Sequence, residues 1–193
     1  MKKLIKILGY ILIGLLIIAL LTGLFFFIKW NRTSAANMKL LGEAASTLTE
    51  NGYQFRDLNK NGQLDVYEDG RAAIDRRIDD LTNQMTLEEK AGLMFITMIG
   101  MDTDGALGES PVFNDPITFM LESNTTMVAQ KNMNHFNIVQ STSAKAMATW
   151  NNNIQQLAER TRLGIPVTIA SDPRHSAREN AGASIPTLSL IHI

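Results

Sequence analysis

An uninterrupted apolar stretch dominates the start of the chain. Residues 7–28 carry no charged side chain, and a helix of about 22 residues is long enough to cross ~30 Å of hydrocarbon. Cations flank the stretch, and Trp30 fits an interface anchor. Because the lysines before it outnumber the cations after it, the pattern predicts a cytoplasmic N-terminus and a single-pass cell-membrane protein whose later part is extracytoplasmic. The flanking cations are Lys2, Lys3, Lys6, Lys29 and Arg32.

Two other interpretations of this stretch stay open. Residues 33–35, Thr-Ser-Ala, could serve as a signal-peptide cleavage site. The apolar run is, however, much longer than the ~7–15 residues of a signal peptide's hydrophobic region, which favours an uncleaved anchor. A buried core helix is disfavoured, because this helix is apolar on all sides and lies at the chain end.

After residue 32 the continuous apolar stretch gives way to apolar residues that recur periodically among polar ones. Apolar residues recur at helical spacing in several segments, and one of these helices opens with a capping box formed by Thr86 and Glu89. Glycine, proline and aspartate crowd a segment that we interpret as a loop. The predictions are a juxtamembrane linker over 33–50 with a helical patch at 36–45, helices over 71–85, 87–95 and 117–131, and a loop over 101–116.

The C-terminal half has the pattern of a strand, a long helix and a second strand. Residues 136–139 and 165–170 are short apolar runs, which predict buried strands. Between them, residues 143–162 have apolar side chains at helical spacing, and Gly164 fits the stop of that helix. A β-α-β unit joins parallel strands, so we expect an α/β fold with a parallel sheet.

Composition excludes several classes of function. The formal net charge of −1 gives no support for a nucleic-acid partner. The chain has no cysteine, which excludes disulfides, thiolate metal sites and a cysteine nucleophile. No HExxH motif and no glycine-rich phosphate loop occur, and no cofactor for catalysis is predicted.

Residues 57–68, hereafter the 57–68 loop, match the calcium-binding loop pattern at its defining positions. Gly62 permits the sharp turn that such a loop needs. The predicted role is a structural Ca²⁺ site, and the alternative is an Asx-rich turn without metal. The expected ligands are the side chains of Asp57, Asn59 and Asn61, the carbonyl of Gln63, Asp65 through water, and a bidentate Glu68.

A second candidate site follows the second predicted strand. Asp172 lies at the carboxyl end of that strand, which is where parallel α/β folds bind ligands. Its carboxylate could accept hydrogen bonds from neighbouring sugar hydroxyls, and Arg174 and His175 could orient it or contact substrate. The alternative is a structural Asp–Arg pair that caps the loop.

Several segments together resemble glycoside hydrolase family 3. The similarity covers about residues 51–187, and the combination is more specific than any one segment. In the resemblance, residues 134–138 correspond to the first barrel strand. The matching segments are 55–62, 67–69, 78–81, 85–92, 134–138, 150–152 and 161–167.

The resemblance implies a (β/α)₈ TIM-type barrel, of which this chain holds only the first strands and helices. It implies retaining hydrolysis of a terminal β-linked glucosyl or related sugar, with two carboxyl groups about 5–5.5 Å apart. In the family, the nucleophilic aspartate and the acid/base glutamate lie further along the chain than residue 193, so we expect this fragment to be inactive. Asp172 corresponds to the family's sugar-binding aspartate, and Arg174 and His175 to the motif around it. Ser176 stands where the family usually has glycine.

Residues 188–193 depart from the resemblance. They match the translation of a transposase-end sequencing adapter, CTG TCT CTT ATA CAC ATC, and we interpret them as a foreign tail. The rival interpretation of the whole chain is a complete, non-enzymatic, membrane-tethered module that binds calcium or sugar. A reading frame that continues downstream favours the hydrolase fragment, and a genuine stop codon after Ile193 favours the module.

Overall fold

A computed structural model describes residues 2–112, 115–139 and 143–171 of the 193-residue chain. The apolar stretch forms one long helix, α1 (Lys2–Met38). Within the described residues, only this helix is long and apolar enough to cross a membrane. None of its most apolar 18-residue stretch is buried against the rest of the protein. Apolar side chains that pack against no other part of the protein favour a nonpolar solvent, so this helix fits the predicted anchor.

The C-terminal end of α1 packs against the folded domain. Asn37 is 5% exposed, and its Nδ2 donates to Oγ1 of Thr126 at 2.8 Å. Met38 and Leu41 pack against the hydrophobic core, and the Gly42 amide donates to the Arg160 carbonyl at 2.9 Å. The segment predicted as a linker therefore begins as the end of α1 and finishes as a strand. Of the helical patch expected over 36–45, only residues 36–38 are helical.

An antiparallel hairpin follows, formed by β1 (Ser46–Glu50) and β2 (Tyr53–Asp57). Asn51 and Gly52 form its turn with φ angles of 51° and 80°, as expected for a type I′ Asn-Gly turn. Arg71 lies over the Tyr53 ring, 4.5 Å from its centroid. The hairpin places Asp57 at the start of the 57–68 loop.

The next two helices confirm the local sequence signals. α2 spans Ile74–Gln84 and α3 spans Leu87–Leu93. Thr86 Oγ1 accepts from the Glu89 amide at 3.2 Å, and Glu89 Oε2 accepts from the Thr86 amide at 2.9 Å. The predicted capping box is therefore present. α3 ends two residues earlier than expected, since a strand begins at Ile96.

Three strands, β3 (Ile96–Ile99), β4 (His135–Ile138) and β5 (Thr168–Ser171), form a sheet with β4 in the centre. Both pairings are parallel, as predicted for β4 and β5. α4 (Ala144–Glu159) connects these two strands, and Ser143 caps its start by accepting from the Ala146 amide. Gly164, with φ 58°, follows the helix.

The hydrophobic core lies between the sheet and α4. Phe136 of β4 and Trp150 and Ile154 of α4 are each 0% exposed, as is Ile99 of β3. Burying a side chain of this size contributes about 1.5–3 kcal/mol to stability. The apolar residues that recur at helical spacing over 143–162 therefore form the face of α4 that covers the sheet.

Two predictions about the middle of the chain were wrong. The first strand of the parallel sheet is β3 and not residues 134–138, which form the second. The helix expected over 117–131 is a 3₁₀ turn (Pro116–Met120) and a separate π-helical turn (Thr126–Gln130). Between them, Asn124 and Thr125 are each 1% exposed and use their side chains for tertiary hydrogen bonds. Tertiary contacts therefore override the helical pattern of this segment.

The described fold is of mixed α/β class, with a parallel sheet, a separate hairpin and a long apolar helix. Its strands form an open sheet. That this sheet is the first part of an incomplete TIM-type barrel stays a prediction.

Candidate functional site

The strand register defines the two ends of the parallel sheet. Because Ile99 pairs with Ile138 and Ile138 pairs with Ser171, the three strands finish at the same level. We call this end the carboxyl edge. The opposite end, where Ile96, His135 and Thr168 are aligned, is the amino edge. In parallel α/β folds ligands bind at the carboxyl edge.

The predicted sugar-binding residues follow directly after β5. β5 ends at Ser171, so Asp172 is the next residue along the chain from the carboxyl edge. Asp172, Arg174 and His175 themselves lie outside the described residues. The strand end fits the predicted location, and the roles of these three side chains stay predictions.

A buried asparagine fixes the loop that follows β3 at this edge. Asn124 Nδ2 donates to the Gly100 carbonyl at 2.9 Å. Its Oδ1 accepts from the Gly108 amide at 3.0 Å and from Trp150 Nε1 at 2.9 Å. One side chain therefore joins the loop, the sheet and α4. Sequence reasoning missed Asn124, because nothing in its local pattern distinguishes it from a surface asparagine.

Close backbone packing reinforces this arrangement. A Cβ added to Gly108 would lie 2.7 Å from the Gly100 carbonyl oxygen, which is too close for any larger residue. Glu109 next to it accepts from the Thr125 amide at 3.0 Å and from the Thr125 hydroxyl at 2.6 Å. The loop after β3 is thus held by hydrogen bonds on both sides of Gly108.

A cavity of about 230 Å³ opens between this loop and the end of α1, and we call it the α1 cavity. Lys29 and Trp30 line it from the helix, and Gly100 and Met101 line it from the carboxyl edge. Loop residues including Glu109, Thr118 and Leu121 complete the wall. The cavity therefore brings the segment of α1 that follows its apolar stretch next to the carboxyl edge.

The 57–68 loop is organised by its own carboxylates. Asp57 is 3% exposed. Its Oδ1 accepts from the Asn61 amide at 3.1 Å, and its Oδ2 accepts from the Gly62 amide at 3.0 Å. Gly62 has φ 76°, a left-handed conformation that glycine adopts without strain. The sharp turn predicted at Gly62 is therefore present.

Glu68 closes the same loop from its other end. Its Oε1 accepts from the Leu58 amide at 2.6 Å and from the Asn59 amide at 3.2 Å. Its Oε2 accepts from the Asp65 amide at 3.1 Å. The first and last predicted calcium ligands, Asp57 and Glu68, thus both bind loop amides.

The middle of the loop has its amide nitrogens turned toward Asp65. Oδ2 of Asp65 accepts from Nδ2 of Asn59 at 2.6 Å and from Nδ2 of Asn61 at 2.7 Å. The backbone amide of Gln63 donates to Asn61 Oδ1 at 2.7 Å. Across residues 2–112, 115–139 and 143–171, no group of three acidic or histidine side chains is placed to hold a metal ion. Calcium binding by this loop would need the two asparagine side chains to present oxygen inward.

The loop is also tied to the turn between α4 and β5. Lys60 Nζ donates to the Glu159 carbonyl at 2.6 Å and to the Thr161 carbonyl at 2.5 Å. Burial lowers the pKa of Lys60, and the nearby carboxylate of Glu159 opposes that shift. Tyr67 donates its hydroxyl to the Leu163 carbonyl at 3.3 Å. The loop therefore supports the chain segment that leads into β5.

Burial and the neighbouring Glu68 carboxylate raise the pKa of Tyr67, so its phenol stays protonated and available as a donor. A Cβ added to Gly164 would lie 3.0 Å from the Leu58 carbonyl oxygen. The backbone of the 57–68 loop therefore also packs closely against the turn between α4 and β5.

No family model matches the chain. Curated relatives do match, and three of them are as follows. A probable beta-glucosidase C of Aspergillus oryzae is 38% identical over 151 residues, 76% of this chain and 23% of the relative. A periplasmic beta-glucosidase/beta-xylosidase of Dickeya chrysanthemi is 41% identical over 142 residues, 73% of this chain and 21% of the relative. Beta-glucosidase C of Emericella nidulans is 40% identical over 127 residues, 65% of this chain and 19% of the relative.

The chain is a homologue of the family 3 β-glucosidases. This confirms the resemblance identified from the sequence motifs. The chain spans 23% or less of the length of each of these three relatives. The matched part thus corresponds to a minor portion of a β-glucosidase.

Proposed function

We propose that the chain belongs to a retaining glycoside hydrolase that removes terminal β-linked glucosyl or related residues from oligosaccharides or glycosides. The observation that carries this proposal is the 38% identity to a probable beta-glucosidase over 76% of the chain. The parallel β-α-β arrangement of β4, α4 and β5 supports it, because successive units of this kind build a (β/α)₈ barrel. On this proposal the described sheet is the first part of an incomplete barrel.

Asp172 is the residue that we expect to bind the terminal sugar. Its carboxylate would accept hydrogen bonds from two neighbouring hydroxyls, and Arg174 and His175 would orient it. We expect the 193-residue chain alone to be inactive, because by resemblance the nucleophile and the acid/base lie in parts of the enzyme that this chain does not contain.

A direct experiment compares the 193-residue chain with a version extended through the downstream reading frame. Hydrolysis of an aryl β-glucoside by the extended version only is the expected result. Asp172→Asn in the extended version should lower kcat/KM by a factor that corresponds to a loss of a few kcal/mol of transition-state stabilisation, since it weakens charged hydrogen bonds to substrate. Hydrolysis by neither version, with both folded, would contradict the proposed activity.

We also propose that α1 tethers the enzyme to the cell membrane, with the rest of the chain outside. The unburied apolar face of α1 supports the tether, and the charge asymmetry around residues 7–28 supports the orientation. External protease added to spheroplasts should digest the domain and leave α1 in the membrane fraction. A soluble species that starts near Ala36 would instead indicate a cleaved signal peptide.

A structural Ca²⁺ in the 57–68 loop is the third part of the proposal. The hydrogen bonds of Asp57 to the Asn61 and Gly62 amides support it, because they hold the loop in the compact turn that a calcium site requires. The site would stabilise the segment before β5 and have no role in catalysis.

A further inference from the structure

The end of α1 fixes which edge of the sheet faces the membrane. Lys29 and Trp30, directly after the apolar stretch, line the α1 cavity together with Gly100 and Met101 of the carboxyl edge. The carboxyl edge therefore lies beside the point where α1 leaves its apolar stretch.

The chain then runs from the carboxyl edge to the amino edge. Further along it, the Gly42 amide binds the Arg160 carbonyl at the C-terminal end of α4. That end of α4 lies at the amino edge, since Gln155 Nε2 donates to the carbonyl of Val167, just before β5, at 2.7 Å. The amino edge is thus the one directed away from the apolar stretch.

The helix rise between the apolar stretch and Trp30, compared with the thickness of the headgroup layer, puts the carboxyl edge at the level of the lipid headgroups. Trp30 follows the apolar stretch by two residues, which is about 3 Å along a helix axis. The headgroup layer extends ~5–8 Å beyond the hydrocarbon on each side of a bilayer. A domain that shares a cavity with Lys29 and Trp30 therefore lies next to the membrane surface.

An apolar projection occupies this level. In the 3₁₀ turn Pro116–Met120, Phe119 is 54% exposed and Met120 is 84% exposed. Thr118 and Leu121, on either side of these two residues, both line the α1 cavity. The turn is rigidly held, because the buried Thr118 hydroxyl donates to the Asp115 carbonyl at 2.6 Å and accepts from the Val112 amide at 2.8 Å.

The charged groups near the projection are Asp115 and Glu122 on either side of the turn, and Glu109 and Lys29 in the cavity wall. Glu122 follows the turn and forms an ion pair with Lys131 at 2.6 Å, so its charge is neutralised locally. Lys29 adds a cation on the opposite wall of the cavity. Aromatic and long apolar side chains with cations beside them are typical of segments that lie in the membrane interface.

From these contacts we infer that Phe119 and Met120 insert into the interface of the membrane that α1 spans, as a second contact that holds the carboxyl edge against the bilayer. The inference rests on the proposed tether. The partner of these two side chains is the lipid surface itself, because residues beside the 3₁₀ turn line the same cavity as the first residues after the apolar stretch.

The absence of cysteine from the chain allows a single-label test. Met120→Cys and Met94→Cys are matched variants, since the two methionines are 84% and 85% exposed. Met94 lies two residues before β3, at the amino edge. Each full-length variant is labelled with NBD and reconstituted in phosphatidylcholine vesicles, with and without a lipid that carries a headgroup nitroxide. NBD at residue 120 should be quenched several-fold more strongly than NBD at residue 94 and should emit at shorter wavelength.

Equal quenching at the two positions would overturn the inference. A third variant, Leu16→Cys, separates this from failure of the tether, because residue 16 lies in the middle of the apolar stretch. Its label should be quenched by a lipid with a nitroxide on the acyl chain. Quenching at residue 16 with none at residue 120 rejects the second contact alone, whereas no quenching at residue 16 rejects the tether as well.

Discussion

Lys60 donates its ammonium group to the carbonyl oxygen of Thr161 at 2.5 Å. A second bond from the same nitrogen reaches the Glu159 carbonyl at 2.6 Å. These carbonyls lie at the C-terminal end of α4, where a helix leaves its last acceptors without partners and where a cation is favoured. A residue about a hundred positions earlier in the chain thus caps the helix that leads into β5.

Lys60→Met should therefore destabilise the domain while it retains most of the side chain's apolar packing. We expect a loss of about 1–2 kcal/mol, typical of hydrogen bonds that involve a charged group. Thermal unfolding of the full chain in detergent, followed by near-UV circular dichroism, measures it. The control is Lys90→Met at an exposed position of α3. Equal melting temperatures for the two variants would contradict the capping role.

Calcium should stabilise the chain through the 57–68 loop. The loop has three carboxylates among its predicted ligands, so we expect weak binding with Kd about 10⁻⁴–10⁻³ M, as in extracellular modules. At ten times Kd the gain in unfolding free energy is ~1.4 kcal/mol. Titration calorimetry measures the binding, and the shift of melting temperature with calcium measures the gain.

Glu68→Gln should weaken this binding, because it removes one oxygen of the predicted bidentate ligand. Glu88→Gln is the matched control, since Glu88 is exposed in the first turn of α3. No calcium heat in the unmodified chain, or the same Kd for both variants, would leave the 57–68 loop as a turn without metal.

Acid should weaken the contact between α3 and the α4–β5 turn. Burial alone would raise the pKa of Glu89, but the hydrogen bonds from Arg162 and from the Thr86 amide outweigh it and lower the pKa below 4.5. A lowered pKa in the folded state means that the contribution to stability is present above 4.5 and is lost as the pH falls below it through the folded value.

Glu89→Gln should therefore reduce stability at pH 7 by about 1 kcal/mol or less, because the pair is partly exposed. The difference from the unmodified chain should shrink between pH 5 and pH 3. Urea unfolding at several pH values measures it, with Glu88→Gln as the control. A difference that stays constant over this range would show that Glu89 acts through packing only.

Asn124 should be among the costliest polar residues to remove. Asn124→Ala leaves the Gly100 carbonyl, the Gly108 amide and Trp150 Nε1 without this partner. Each buried group left unpaired costs about 1–3 kcal/mol, so with three such groups we expect a total loss of about 3 kcal/mol or more. Asn152→Ala at an exposed position of α4 is the control. Denaturant unfolding measures both, and a loss below about 1 kcal/mol would mean that water replaces the side chain.

Local sequence signals predicted the local features of the fold. Thr86 and Glu89 lie three residues apart, so their reciprocal hydrogen bonds depend on nothing distant. The helical spacing of Trp150 and Ile154 likewise predicted the buried face of α4. The Asn51–Gly52 hairpin could have been predicted in the same way, because Asn-Gly between two β-prone segments is a strong turn signal.

Features that depend on distant partners could not be predicted. Asn124 binds groups 24, 16 and 26 positions away along the chain, and no local pattern carries that information. β3 was missed because the four residues of Ile96–Ile99 directly follow a helix and resemble its continuation. The orientation that we infer for the carboxyl edge depends on Lys29 and Trp30 lining one cavity with Gly100 and Met101, which only the three-dimensional fold brings together.

That orientation leads to a prediction about substrate. If the carboxyl edge faces the bilayer, a sugar-binding Asp172 at the end of β5 would open toward the lipid surface. The extended enzyme should then favour β-glucosides whose aglycone is embedded in the membrane, because the tether holds the site at a high effective concentration of such substrates.

The test separates orientation from simple tethering. A flexible Gly/Ser linker of about 20 residues, which spans roughly 25 Å, is inserted after Trp30, so that the enzyme stays on the membrane but loses its fixed orientation. Hydrolysis of an alkyl β-glucoside in vesicles should fall several-fold, because the site then faces the lipid only part of the time. Hydrolysis of a soluble aryl β-glucoside should change little, which controls for intact folding and chemistry. Unchanged hydrolysis of both substrates would mean that the orientation of the carboxyl edge does not select the substrate.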